Sequence, residues 1–193
     1  MAKVTLIGVF GLPCVGKGAV ISAIQHQMQR TSATVSSSGE VADLLTPEIK
    51  AQMKGGALFP LEDQLRERIR AKTDFWIKAG RSVIFLDGFP RFNDQVDWLV
   101  NVYHPMIDAN VMFLKVDGGS LENIKKRAET RARDEFDTDP VLLMARIDRQ
   151  ASMITGIEQA IFRHGLPYYT VVNSTSPVDA ASQFMRQVPP PND

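Results

Sequence analysis

One stretch constrains this chain more than any other: Gly11-Leu12-Pro13-Cys14-Val15-Gly16-Lys17-Gly18. It fits the pattern G-x-x-x-x-G-K and stands between an apolar run, Val4 to Phe10, and a helical pattern that opens at Lys17. A strand that ends in a glycine-rich turn and restarts as a helix lets backbone N–H groups converge on an anion. The positive end of the helix then faces the same point. The predicted ligand of such a turn is a nucleoside triphosphate, with Lys17 bridging its outer phosphates. Most loops of this pattern carry Ser or Thr after the lysine to reach magnesium; here the residue is Gly18.

The rest of the chain alternates in the same way. Strands are predicted at Val4–Phe10, Ser82–Leu86, Asn110–Val116 and Tyr168–Val172, with a short one near Ala33–Ser36. Helices are predicted at Lys17–Arg30, Leu61–Lys78, Asp94–Val102, Leu121–Arg131, Pro140–His164 and Val178–Gln187. Runs such as Val83-Ile84-Phe85-Leu86 are apolar on both faces, as parallel strands covered by helices must be. The expected fold is α/β: a doubly wound, five-stranded parallel sheet in one domain spanning residues 1–193. Two stretches break the alternation, Ser37 to Leu61 and the charged Ala128 to Asp139, and both read as lobes at the mouth of the sheet. The tail, 188–193, carries three consecutive prolines and reads as disordered.

Composition narrows the partners. Hydrophobic residues make up 44% of the 193 and charged residues 23%, as in an ordinary globular domain. Lys plus Arg, 22, balances Asp plus Glu, 22, so bulk charge favours neither nucleic acid nor a membrane surface. One cysteine, Cys14, excludes an internal disulfide and a multi-thiolate zinc site. With no apolar run long enough to cross a bilayer and no signal-peptide pattern, the expected compartment is the cytoplasm.

Asp87-Gly88-Phe89-Pro90-Arg91 follows the second strong strand. An aspartate there is suited to hold magnesium through water, and the Gly-Pro turn aims Arg91 into the crevice. Gln95, on the first turn of the next helix, can offer its amide to a base.

These stretches together resemble the adenylate kinases, within the nucleoside monophosphate kinases, in their short-lid form. The resemblance rests on Gly11–Gly18, Ser38-Gly39-Glu40, Leu58-Phe59-Pro60-Leu61, Asp87–Arg91 with Gln95, Lys126-Arg127-Ala128-Glu129-Thr130, Arg133, Arg146, and Val172-Asn173 followed by Val178-Asp179. They stand in the family's order and cover nearly the whole chain. The resemblance implies an ATP site on Gly11, Pro13, Cys14, Val15, Gly16, Lys17, Gly18 and Ala19, with Arg127 over it. Ser176 and Pro177, in the stretch after Asn173, would lie near the adenine of ATP. It implies an AMP site on Ser38, Gly39, Phe59, Gly88, Arg91, Gln95, Arg133 and Arg146, within a lobe at 37–66 and beneath a lid at 128–139. Catalysis would fall to Lys17, Asp87, Arg91, Arg127, Arg133 and Arg146, with Mg2+ held by Asp87 through water, in a monomer. The implied reaction is ATP + AMP = 2 ADP; a different (deoxy)nucleoside monophosphate as acceptor, or a nucleotide-binding sensor of the same fold, are the alternatives.

The sequence departs from the family where it has Ala19 for threonine, Phe92 for a small polar residue and Cys14 for glycine. Asp43 stands where the family has an arginine on the acceptor phosphate. A carboxylate there would repel the phosphate unless it points elsewhere.

Overall fold

The computed structural model describes residues 4–28, 31–54, 59–105, 109–132 and 138–188. Its centre is a five-stranded sheet of β1 (Val4–Phe10), β2 (Ser32–Ser36), β3 (Val83–Asp87), β4 (Ala109–Asp117) and β5 (Tyr168–Val172). The strands lie in the order β2-β3-β1-β4-β5, and every neighbouring pair is parallel. β1 is central, in register with β3 through Ile7↔Phe85 and with β4 through Ile7↔Met112.

Seven α-helices accompany these strands among the described residues: α1 (Lys17–Gln27), α2 (Pro47–Lys54), α3 (Glu62–Lys78), α4 (Asn93–Tyr103), α5 (Leu121–Arg131), α6 (Pro140–Arg163) and α7 (Pro177–Gln187). Period-two alternation splits β1, β3 and β4 between two cores. Leu6, Phe10, Ile84, Leu86, Val111 and Phe113 pack with α3, α4 and the second half of α6 through Leu65, Ile69, Val96, Leu99, Ile157 and Ile161. On the other face Ile7, Val9, Phe85, Leu114 and Val116 meet α1, α5 and α7 through Val20, Ile24, Ile124, Ala181 and Phe184. Each such side chain taken fully out of water contributes about 1.5–3 kcal/mol. Helices on both faces of an all-parallel sheet are consistent with a doubly wound arrangement.

Local chemistry fixes where helices start. Ser120 Oγ accepts from Asn123 N–H, Asp139 Oδ1 from Val141 and Leu142 N–H, and Ser176 Oγ from Asp179 N–H. Prolines at 140 and 177 occupy first helical positions, where the missing N–H goes unneeded. A cap of this kind is worth about 1 kcal/mol.

The structure differs from the sequence-based expectations in a few places. α1 ends at Gln27, α4 and β4 are longer than expected, and Asp87 is the last residue of β3, not the first beyond it. The stretch after Ser37 contains a 3-10 turn, Ala42–Leu44, and the helix α2, where the sequence predicts no regular element. Parts of the expected lobe (55–58), of the lid (133–137, with Arg133) and of the tail (189–193) lie outside the described residues. No helix among the described residues is long and apolar enough to cross a membrane.

Candidate active site

The loop from Gly11 to Gly16 carries β1 into α1 at the carboxyl ends of the central strands, where open α/β sheets hold ligands. Gly16 has φ +87, and a Cβ there would stand 2.6 Å from Asn173 Nδ2, so both conformation and space require glycine. Cys14 also adopts a left-handed φ of 56, at the position where the resemblance expects glycine. Its side chain is buried, as a small residue filling the turn would be. Gly16 also precedes α1 and, having no side chain, leaves the first helical N–H groups without an N-cap bond.

Lys17 bends back over this loop. Its Nζ donates to Gly11 O at 3.1 Å and to Leu12 O at 2.8 Å. Burial lowers its pKa from 10.5 to about 8; Asp87 and Cys14 raise it, while Arg91 and Arg146 lower it further. Lys17 thus lies within electrostatic range of Asp87, Arg91 and Arg146. One lysine, one carboxylate and two arginines from β3, the turn after it and α6 converge on the start of α1. The Asp87 carboxylate itself abuts α1: a Cβ on Gly18 would lie 3.4 Å from its Oδ2.

Arg91 is held on several sides. Its N–H donates to Gln95 Oε1 at 2.6 Å, and its carbonyl accepts from Gln150 Nε2 at 3.2 Å. Its guanidinium donates to Gly88 O at 3.2 Å and Ser37 Oγ at 3.0 Å. Burial pushes its pKa down, Glu62 and Asp87 oppose that, and Arg146 adds to it. A concentrated positive charge that is partly desolvated favours an anion of matching shape.

On the other flank of the loop, Arg127 from α5 donates through Nη2 to Asn173 O, and its Nη1 is buried with no partner among the described residues. Asn173 ties three elements together. Its N–H donates to Asp117 O at 2.8 Å, its Nδ2 to Val15 O at 2.8 Å, and its carbonyl receives Arg127. Its Oδ1 is buried and unpartnered among the described residues. Beside them a cavity of about 400 Å3 is lined by Asn123, Lys126, Arg127, Thr130, Arg131 and Ser174, three of them cationic.

The predicted residues are therefore distributed as follows. Lys17, Asp87, Arg91 and Arg146 come together, and Arg127 flanks the same loop. Ser38 and Gly39 are exposed, and it is Ser37, one residue earlier, that touches Arg91. Phe59 is buried in the core beside α3 and α4. Gln95 is fully buried, its Nε2 donating to Glu62 Oε1 at 2.9 Å and Oε2 at 3.1 Å. Ser176 and Pro177 form the capped start of α7, where the Ser176 hydroxyl donates to Asp179 Oδ2. Sequence reasoning missed Ser37, Glu62, Gln150 and the bridging role of Asn173. Only Asn173 carried a signal, as a polar residue directly after the last strand.

Comparison with protein-family models and with curated proteins finds no match to this chain.

Proposed function

We propose that this protein is a nucleoside monophosphate kinase of the adenylate kinase type, transferring a phosphoryl group reversibly from ATP to AMP. The observation that carries the reading is Lys17 folded over the glycine-rich loop, with the Asp87 carboxylate against Gly18 and Arg91 anchored in the turn after β3. In this reading the loop is a phosphate loop, the stretch around 37–66 the acceptor lobe, and 128–139 the lid.

The chemistry asks for such a set. An acceptor phosphate is already deprotonated, so no strong base is needed; positioning and cations matched to spreading negative charge do the work. Lys17 would leave the Gly11 and Leu12 carbonyls for the triphosphate. Arg91 would hold the acceptor's phosphate, Arg146 would face both phosphates, and Arg127 would lie beside the donor nucleotide, whose base and ribose would take the depression next to Ser174. Arg133 is assigned to the same clamp by the resemblance alone.

Magnesium fits the donor set. No group of three or more His, Cys, Asp or Glu side chains that could enclose a metal occurs among the described residues. A single carboxylate beside a triphosphate nest is what Mg2+ uses, since it keeps most of its waters and takes its remaining oxygens from substrate. Asp87 would hold it through those waters, where it would neutralise charge on the phosphates.

A second reading has its own support. The Gln95 amide, expected to select adenine, is already engaged by Glu62 and by Arg91 N–H. Base selectivity could then be set differently, and the acceptor be another nucleoside or deoxynucleoside monophosphate. A coupled ADP-production assay with ATP and a panel of monophosphates tests both. Preferred AMP turnover, lost in Lys17→Ala and Arg91→Ala, is the expected result; no turnover with any acceptor contradicts the kinase reading and favours a nucleotide-binding sensor.

A further inference from the structure

The acceptor side of the site contains a buried hydroxyl with no role in the reaction as set out above. Ser37 is 1% exposed and directly follows β2. Its N–H donates to Asp87 O at 3.0 Å, which ties it to the end of β3. Its Oγ donates to Gly88 O at 3.0 Å and accepts from Arg91 Nη2 at 3.0 Å. Arg91 Nε donates to the same Gly88 carbonyl at 3.2 Å. Gly88 is part of the arrangement: its φ is +72, and a Cβ there would lie 2.9 Å from Ser37 Oγ. Any side chain would push the hydroxyl away from the carbonyl it serves.

The pattern of donors is what matters. A guanidinium presents its N–H groups along two usable edges. The side edge, Nε–H with the adjacent Nη2–H, is taken by Gly88 O and Ser37 Oγ. The end edge, Nη1 with the second Nη2–H, is the one that remains for a bidentate grip on phosphate oxygens. Without the hydroxyl, the guanidinium keeps only the Gly88 bond and can rotate about it. We infer that Ser37 is a positioning residue for Arg91, fixing which edge of the guanidinium meets the acceptor's phosphate. The inference rests on the kinase reading.

The test is a double-mutant cycle on the full-length protein, with KM for AMP and for ATP, kcat and melting temperature measured for wild type, Ser37→Ala, Arg91→Lys and the double variant. In the arginine background, Ser37→Ala raises the AMP KM about tenfold or more, in line with loss of a hydrogen bond to a charged group. The ATP KM stays within about twofold. In the Arg91→Lys background the same change has little further effect, because lysine has no side edge to hold. Ser37→Thr, which keeps a hydroxyl at that point, retains an AMP KM near that of wild type. Equal increases in both KM values, the same increase in both backgrounds, or a threonine variant as poor as alanine would overturn the inference while leaving the kinase reading intact. A wild-type protein that turns over no monophosphate would overturn the kinase reading, and this inference with it.

Discussion

Arg68 grips Asp43 with both ends of its guanidinium, Nη1 lying 2.5 Å from Oδ1 and Nη2 3.0 Å from Oδ2. Asp43 is the residue that replaces the arginine expected on an acceptor phosphate, and a bare carboxylate there would oppose binding. The pair answers that objection. Arg68 comes from α3, also donates to Glu40 O at 2.9 Å, and so pins the 3-10 turn of Ala42–Leu44 with its charge neutralised. The Arg68 hydrogen bonds hold the Asp43 carboxyl below its usual range, so their contribution is present at neutral pH and lost as pH falls through that lowered pKa.

On the kinase reading, Arg68→Ala therefore releases a negative charge into the proposed acceptor lobe. The AMP KM rises roughly two- to fivefold, more at low than at physiological ionic strength, while the ATP KM holds. Asp43→Ala in the same chain restores the AMP KM. Steady-state kinetics at two salt concentrations checks this; an unchanged AMP KM in Arg68→Ala would mean the pair lies outside the acceptor's field.

Lys17 gives the site a pH dependence. With its pKa lowered to about 8, the free protein loses the ammonium as pH rises through that value. ATP binding weakens over the same range, so kcat/KM for ATP falls with an apparent pKa near 8. Stability runs the other way. The unfolded lysine stays protonated to its ordinary pKa, so the cost of the desolvated charge is present in full below 8 and relieved as pH rises from about 8 to 10.5. Lys17→Met is accordingly more stable than wild type at pH 7, by up to about 3 kcal/mol, while losing ATP binding. Denaturant titration at pH 7 alongside nucleotide binding measures both.

Gly16→Ala combines a strained φ with a collision on the Asn173 amide. The expected loss is about 1–3 kcal/mol of stability, with a raised ATP KM because the loop can no longer close on Asn173. Asn173→Ala, which removes the bond to Val15 O instead, raises the ATP KM without altering the AMP KM. Thermal melting and the two KM values separate these effects.

Gln95 is buried between Glu62 and the Arg91 backbone, so Gln95→Ala leaves a carboxylate and an N–H short of partners. A stability loss of about 1–3 kcal/mol is expected. If the amide also reads the base, the AMP KM rises more than that of a pyrimidine monophosphate. Equal increases for the two acceptors would assign Gln95 to holding Arg91 alone.

How much of this was legible in the sequence depended on the range of the interaction. β1, β3 and β4 stood out because strands buried on both faces must be continuously apolar, and α6 because proline marks its start. Lys17, Asp87 and Arg91 were legible because each sits at a fixed offset from a strand end. α2 was not, being short, polar and framed by a loop. Nor was the Asp43–Arg68 pair, whose members are far apart in sequence and meet only when α3 packs against the lobe. Ser37 was hidden by a run of three serines, in which only the backbone path decides which hydroxyl turns inward.

The central claim is phosphoryl transfer between two nucleotides. It is tested most directly by mixing the purified protein with ATP labelled in its γ-phosphate, AMP and Mg2+, and following where the label goes. The account predicts label in ADP, two ADP formed for each ATP consumed, and no transfer without Mg2+ or in Lys17→Ala. Label that stays in ATP, or that appears only as inorganic phosphate, would contradict it.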